Sequence, residues 1–566
     1  MVDVDGRTPN TANYSRIMRL VCYDLRSLFF YNFILSVWVN AELYTAIVDL
    51  EGLLKTEVIL IENLKKYISL QEQKLETLKK RVQHYTEEHE KANADATEYL
   101  SNPINAYLLV KRLTTDWEVT EKFIEDDLYQ RLQENITKIK DEVKFPTDED
   151  LSGAAAALIR LQKTYNLDTE SLARGELNGV KYSSSLSTHD CFELGRQSYN
   201  NQDFFHTVLW MREALRRYEV EKNETTVHEW EILEYLAYSL YMQGNVEAAH
   251  QLTEELLVLY PNHPRARNNL DYYTSVLEKE DENDERKKGD DGEIEESVEE
   301  RTKPAHNNAV FDNSERMKYE MLCRRDIQLP LNIKSKLKCR YVHKNNPYLK
   351  IAPLKEEEAY LEPRILLYRD VIYPNEIEIV KQLAHPRLKR ATVQNHKTGA
   401  LETANYRISK SAWLGEREHF TVGAVRQRVS DITSLTVETA EELQVVNYGI
   451  GGHYEPHFDF ARAEEKNAFK SLGTGNRIAT VLFYMSDVAQ GGATVFPALD
   501  LALWPEKGTA AFWMNLHSSG AGDYLTRHAA CPVLQGSKWV SNVWLHEKGQ
   551  EFLRPCDPAD AITATS

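Results

Sequence analysis

Two residues in the stretch Gly451 to Phe460, GGHYEPHFDF, have side chains suited to chemistry and a spacing that makes them neighbours. If the segment is a strand, His457 and Asp459 lie on one face, because side chains two apart along a strand point the same way. A polar rim or a hydrogen bond between the two explains the pair without function. A metal site also explains it, but requires a further ligand. The later stretch GDYLTRHAACPVLQGSKWVSNVWLHEKGQEF supplies His528, Lys538 and His546. In a jelly-roll of two facing sheets a late strand returns beside an early one. His528 would then complete two imidazoles and one carboxylate on one face of an iron, leaving three positions open for a co-substrate and O₂. Zinc accepts the same ligand types, and an H-x-D pair alone is common. Lys538, ten residues after His528 in the strand-like SKWVSNVW, tips the balance. A buried ammonium needs a partner, and a dicarboxylate such as 2-oxoglutarate provides one. Its keto-acid end chelates iron while its far carboxylate meets Lys538. A lysine snorkelling to the surface is the alternative.

The elements that must hold these residues form the last part of the chain. From about Asn313 to the end, short β-type runs such as RIATVLFYM and GTAAFWMNL alternate with Gly- and Pro-rich turns, which predicts a β domain (313–566, core about 365–550). The run from Glu278 to Arg301, EKEDENDERKKGDDGEIEESVEER, is nearly devoid of apolar residues and reads as a solvated linker, 278–312. Residues 149–277 look helical throughout. Two stretches there share one layout of helix, tight polar turn and helix, with turns at Asn200-Asn201 and Gly244-Asn245 and a stop at Pro261. That layout is tetratricopeptide-like. Tyr235, Tyr238 and Tyr241 recur at helical spacing and, with Tyr199 and Tyr272, make an aromatic surface. Core packing is the ordinary explanation. The functional one is a groove that stacks on a polyproline II chain, which arrives already extended. Over 42–148, apolar residues step by three and four from Ile47, Leu50 and Leu54 through Ile61, Leu64 and Ile68 to Leu75, Leu78, Val82 and Tyr85. Only Glu57 and Gln71 interrupt this register, which predicts a coiled-coil seam and self-association in preference to a hairpin within the chain. Asn102-Pro103 is expected to end that helix.

The chain has 566 residues, enough for three or more domains, and a formal charge of −19, which argues against nucleic acid or an anionic membrane as the main partner. Arg16, Arg19 and Arg26 precede the apolar run SLFFYNFILSVWV and the small Ala41, so 1–41 reads as a secretory signal with a long lead. An uncleaved anchor is the alternative, and no later run is apolar enough to span a bilayer. Cys22 lies within that segment. In an oxidising lumen the pairs Cys323/Cys339 and Cys531/Cys556 are near enough in sequence to close modest loops, leaving Cys191 free. Sequons at Asn135 and Asn223 suit the same compartment and a glycoprotein.

The segments VVNYGIGGHYEPHFDF, GGATVFP, RHAACPVL and GSKWVSNVWLHEKGQEF resemble the catalytic domain of the collagen prolyl 4-hydroxylase alpha-subunit family, and the helical layout resembles the family's other two parts. The resemblance implies a double-stranded β-helix oxygenase that hydroxylates C4 of proline in X-Pro-Gly sequences while 2-oxoglutarate is decarboxylated to succinate and CO₂. It implies that His457, Asp459 and His528 hold Fe(II), that Lys538 binds the 5-carboxylate, that His546 assists at the C1 carboxylate, and that Tyr448 lines the same pocket. It implies peptide contacts from Tyr235, Tyr238, Arg265, Asn269 and Tyr272, and disulfides Cys323–Cys339 and Cys531–Cys556. Ascorbate as reductant, procollagen as substrate, protein disulfide isomerase as beta subunit of an α₂β₂ tetramer and residence in the endoplasmic reticulum lumen are implied in the same way. The tail DAITATS carries no lumenal retention signal, which suits retention by such a partner. The chain departs from the family in its long lead, its acidic linker and His453, where many relatives have glutamine. Two rival readings are an oxygenase with another peptidyl target and a non-catalytic chaperone for proline-rich peptides. Relatives of the first kind use arginine in place of Lys538 and lack the helical module, and the intact triad and lysine argue against the second.

Overall fold

The structure, a computed structural model, describes residues 43–557 except 126, 144, 223, 288–312, 345, 395–400, 466, 467 and 471. The expected signal, Cys22, the Asn223 sequon and most of the expected linker lie outside the described residues. Asn135 is exposed on the helix Leu128–Glu142. No helix among the described residues is long and apolar enough to cross a membrane. The described chain divides into two units, 49–147 and 43–48 with 148–557.

The first unit is dominated by α1, Ile47–Ala94. Leu54, Ile61, Leu64, Ile68, Leu75 and Val82 are all exposed along it, so the expected seam is an uncovered apolar line. A second helix, α2 (Trp117–Glu125), runs beside the later turns. There Arg81 donates to Thr120 Oγ1 (3.0 Å) and Tyr85 meets the Trp117 ring at 6.2 Å. The intrachain hairpin is thus realised over that portion of α1. The helix also ends earlier than Asn102-Pro103. Asp95 accepts from the amides of Thr97 and Glu98 and starts a separate helix, and Asn102 then caps another that begins at Pro103.

The second unit begins its helical part with α3, Asp148–Tyr165. Four helices follow as two pairs, α4 (Thr188–Asn200) with α5 (Phe204–Glu221) and α6 (Glu229–Met242) with α7 (Val246–Leu259). Ser187, Asp203 and Asn245 cap three of them by accepting backbone N–H bonds. The pairs pack around Trp210, Met211, Ile232, Leu236 and Tyr273, and Cys191 is buried among them as a free thiol. The last helix, α8 (Pro264–Lys287), runs into the stretch expected to be linker. Its Glu, Lys and Arg residues are good helix formers and meet no glycine before Gly289, so charge alone did not end the helix.

The β domain follows α9, Asn313–Arg324. Its large sheet contains β1 (Cys339–Val342), β2 (Leu354–Tyr360), β3 (Ile365–Arg369), β4 (Lys389–Arg390), β5 (Lys410–Leu414), β6 (Leu443–Tyr448), β8 (Arg477–Tyr484), β12 (Ala510–Met514) and β15 (Lys538–His546). The smaller one contains β7 (Tyr454–His457), β10 (Thr494–Phe496), β11 (Leu501–Leu503) and β13 (His528–Ala530), and β9 (Gln490–Gly491) pairs with β14 (Val533–Gln535). The strand orders are β1-β2-β3-β12-β8-β15-β6-β5-β4 and β7-β13-β10-β11, with every pairing antiparallel. This is the jelly-roll arrangement. Val445, Val481 and Val543 face α10 (Pro374–Ala384) and α11 (Phe420–Thr433), whereas Val446, Leu482 and Val540 face the smaller sheet. The central strands are therefore buried on both sides, which explains their unbroken apolar runs.

The expected disulfide pairing is corrected. Cys323, near the end of α9, is joined to Cys531, just after β13, and Cys339 and Cys556 are exposed free thiols. Leu322 and Cys323 pack in one cluster with Val495, Ala529 and Cys531. Packing of α9 on the smaller sheet, rather than closeness in sequence, sets which sulfurs meet. Cys339 starts β1, at the edge of the large sheet.

Candidate active site

β7 and β13 are antiparallel neighbours, and their register sets His457 directly opposite His528. Asp459 follows β7 at once. Ligand atoms from His457, Asp459 and His528 all lie within 4.8 Å of one another. His457 Nε2 is 3.7 Å from Asp459 Oδ1, and His528 Nε2 is 3.6 Å from Asp459 Oδ2. Each imidazole is held from behind. His457 Nδ1–H donates to the Glu455 carbonyl (2.8 Å) and His528 Nδ1–H to the Thr526 carbonyl (3.0 Å). A carbonyl only accepts, so the proton sits on Nδ1 and the Nε2 lone pairs face the cluster.

The electrostatics suit a cation. Burial, reinforced by the neighbouring His528, holds the His457 pKa well below the usual imidazole range, so its ring is neutral at pH 7. Burial works against the Asp459 charge, but His528, His457 and Arg477 outweigh it and hold that carboxyl down at about 2. Thr480 Oγ1–H donates to Asp459 Oδ2 (2.8 Å) and orients it. Two imidazole Nε2 atoms and an ionised carboxylate, clustered and largely buried, fit a divalent metal of the facial-triad kind.

Lys538 opens β15 opposite Tyr448, the last residue of β6. It is only 1% exposed, and among the described residues no carboxylate pairs with it. Its ammonium lies 5.0 Å from the centre of the Tyr448 ring. Burial pushes its pKa down to about 7 and the Tyr448 hydroxyl up to about 12. A buried cation without a counter-charge is a place for an anionic ligand.

His546 is the last residue of β15 and is fully buried. Its Nε2 is 3.0 Å from Glu441 Oε1 and its Nδ1 is 2.8 Å from the Gly475 carbonyl, so both nitrogens already have protein partners. Glu441 also pairs with Arg477, whose Nη1 donates to the Asp459 carbonyl (3.4 Å). His546 therefore reaches the triad through two intermediaries. His453 is buried before β7, and burial holds its pKa well below normal.

In the helical module, Tyr199 meets Tyr235 at 4.9 Å and Tyr238 at 5.7 Å, Tyr238 meets Tyr241 at 6.1 Å, and Tyr241 meets Tyr272 at 5.7 Å. The aromatic surface is thus one ladder, edge-to-face except for the tilted Tyr238–Tyr241 contact, with Tyr272 half exposed. Arg265 pairs with Glu234 (2.9 Å), and Asn269 lies partly exposed on α8. Sequence reasoning missed Thr480, Arg477 and Glu441. The one signal for Thr480 is a hydroxyl within the otherwise apolar run ATVLF.

Comparison with known proteins gives the context. Residues 46–179 match the prolyl 4-hydroxylase alpha-subunit N-terminal region, 188–279 the prolyl 4-hydroxylase peptide-substrate-binding domain, and 443–546 the 2OG-Fe(II) oxygenase superfamily. The chain is 50% identical over 522 residues to prolyl 4-hydroxylase subunit alpha-2 of Caenorhabditis elegans, covering 91% of this chain and 94% of that one. It is 50% identical to subunit alpha-1 of Bos taurus, with 91% and 95% covered. This chain belongs to the prolyl 4-hydroxylase alpha-subunit family. Its oxygenase domain is accordingly of the Fe(II)- and 2-oxoglutarate-dependent type. A solved viral collagen prolyl hydroxylase from Paramecium Bursaria Chlorella virus-1 aligns with 32% of this chain and 94% of its own, at 22% identity and a TM-score of 0.26.

Proposed function

We propose that this alpha-type chain hydroxylates C4 of proline in X-Pro-Gly sequences of collagen-like chains, coupled to decarboxylation of 2-oxoglutarate to succinate and CO₂. The observation that carries the co-substrate assignment is Lys538, a buried ammonium without a carboxylate partner in the barrel that gathers the triad. When bound, Fe(II) supplies the activation of O₂ that proline oxidation requires. His457, Asp459 and His528 hold it, and Lys538 receives the 5-carboxylate against the Tyr448 ring. His546 also braces Arg477 and Asp459 through Glu441, alongside the role at the C1 carboxylate that the resemblance implies. Phe460, Arg462, Phe469, Asn476 and Tyr524 line a cleft of about 690 Å³ that starts one residue after Asp459 and offers room for a prolyl chain.

The tyrosine ladder, with Arg265 and Asn269 beside it, is the proposed docking surface for the proline-rich substrate. The exposed seam of α1 is the proposed contact between two alpha chains. Its relatives' family supports protein disulfide isomerase as the beta subunit of an α₂β₂ tetramer, ascorbate as the reductant for turnovers that run without peptide, and residence in the endoplasmic reticulum lumen after removal of 1–41. The test is succinate release by the chain co-expressed with a disulfide isomerase, with and without a Pro-Pro-Gly repeat peptide. Stimulation by the peptide is expected, and its absence would dismiss the prolyl assignment.

A further inference from the structure

The bend between β6 and β7 joins the two halves of the site. Tyr448 of the lysine pocket lies at one end and the His457 strand at the other. Two elements outside the oxygenase match, 443–546, grip this bend. One is the short segment Leu43–Thr45, whose Tyr44 carbonyl accepts the Ile450 N–H (3.2 Å). Leu43 and Thr45 are buried, and the Leu43 amide donates to Asp150 Oδ1 on α3. The other is α3 itself, whose Arg160 Nη1 donates to the Gly451 carbonyl (3.1 Å). Beyond the bend, Tyr165 of α3 donates to the Pro532 carbonyl (2.6 Å), next to the strand pair β9–β14.

Two glycines make the fit possible. A Cβ at Gly153 of α3 would clash with the hydroxyl-side edge of the Tyr44 ring, and one at Gly449 would overlap the Tyr44 carbonyl. The segment occupies space that both surfaces leave for it. On its other side α3 belongs to the helical module, where Gln162 Oε1 accepts from Trp210 Nε1 (3.0 Å) and Ile159 joins the module's core. α3 is thus one rigid helix that touches both the peptide-binding core and the wall of the lysine pocket.

We infer that the Leu43–Thr45 segment and α3 form a clamp on the Gly449–Gly452 bend, and that Tyr44 and Arg160 are positioning residues for 2-oxoglutarate. The physical basis is that a glycine-rich bend has little intrinsic rigidity, because glycine restricts its own backbone least. One bond inside the bend, from the Gly452 N–H to the Gly449 carbonyl (3.0 Å), closes the turn, and the rest of its geometry depends on bonds from outside. Pinning the Ile450 amide and the Gly451 carbonyl fixes where Tyr448 and, through the β6–β15 pairing, Lys538 stand. The inference rests on the assignment of Tyr448 and Lys538 to the keto-acid pocket.

Two variants of the full chain test it. Arg160→Met removes the bond to Gly451, and Gly153→Leu displaces the Tyr44 ring. Amide exchange of the metal-free protein is expected to rise about tenfold over 449–453 and to stay unchanged in the other strands. In steady-state assays the KM for 2-oxoglutarate is expected to rise on the order of tenfold in Arg160→Met, the scale of one charged hydrogen bond. The kcat and the KM for peptide stay as in the parent, and Arg160→Lys recovers part of the loss. Unchanged exchange at the bend overturns the inference. Protection lost evenly over the whole domain also overturns it, because the contacts would then be ordinary packing. Lys538→Ala in the same assay separates the two claims. If it raises the KM for 2-oxoglutarate while Arg160→Met does not, the clamp alone is wrong. If Lys538→Ala has no effect, the pocket assignment fails and the clamp's role fails with it.

Discussion

Replacing Lys538 with methionine should move stability and co-substrate use in opposite directions. Burial lowers the lysine's pKa from 10.5 to about 7. At pH 7 and below, the metal-free protein therefore carries most of the cost of a poorly solvated ammonium. A drop from 10.5 to about 7 corresponds to at most about 5 kcal/mol. Relaxation and water entry reduce it, and methionine, similar in length and apolar, should recover about 1–4 kcal/mol. The sign with pH follows from proton binding. Between pH 7 and 10.5 the unfolded chain holds the lysine proton and the folded chain does not, so the lysine's contribution to stability rises with pH. The advantage of Lys538→Met should be widest below pH 7 and disappear toward pH 10.5. With 2-oxoglutarate the order reverses, because losing a buried charge partner costs about 2–5 kcal/mol of binding, or about 30-fold to a few thousandfold in affinity. Denaturant unfolding of the metal-free chain between pH 6 and 10, paired with the KM for 2-oxoglutarate, reads both effects. A variant less stable than the parent at pH 6 would mean that Lys538 has a protein counter-charge, and the reasoning would fail. An unchanged KM would remove the lysine from the co-substrate site.

Three further outcomes can be checked separately. Thr480→Val deletes the hydroxyl bond to Asp459 Oδ2 and should weaken iron binding about 10- to 100-fold; a direct titration showing parent-like affinity would exclude that role. Tyr238→Ala interrupts the ladder between Tyr199 and Tyr241 and should raise the KM for a proline-rich peptide roughly tenfold. The KM for 2-oxoglutarate should not change, and parallel rises in both would point to a general folding defect. Leu64→Asp places a charge on the exposed seam of α1 and should halve the mass of the assembly in light scattering. An unaltered mass would move the contact between alpha chains elsewhere.

The parts that sequence disclosed best are those where periodicity and residue type agree. Alternate positions of RIATVLFYM and SKWVSNVW are buried on both sides as central strands, and a tetratricopeptide-like layout emerges as capped helix pairs around the Asn200 and Gly244 turns. Charge did not disclose that the helix continues over Glu278–Lys287, because residues that solvate a linker can also propagate a helix. Cysteine spacing misled because α9 folds across the smaller sheet and carries Cys323 to Cys531. His546 was given a role through the resemblance alone, and its partner Glu441 lies 105 positions away, so no local pattern announces that contact.

The amino-acid sequence alone determined the inventory: which imidazoles, carboxylates and amines exist, which strand faces they occupy, and the family they belong to. Those properties are local, set by side-chain chemistry and by the two-residue and 3.6-residue periods of the backbone. Only tertiary structure decided that His457 stands opposite His528, that Thr480 orients Asp459, that Lys538 has no protein counter-charge among the described residues, and that Tyr44 and Arg160 grip the bend between the two halves of the site. These are relations between segments far apart in the chain. They follow from strand register and close packing, which depend on the whole fold at once.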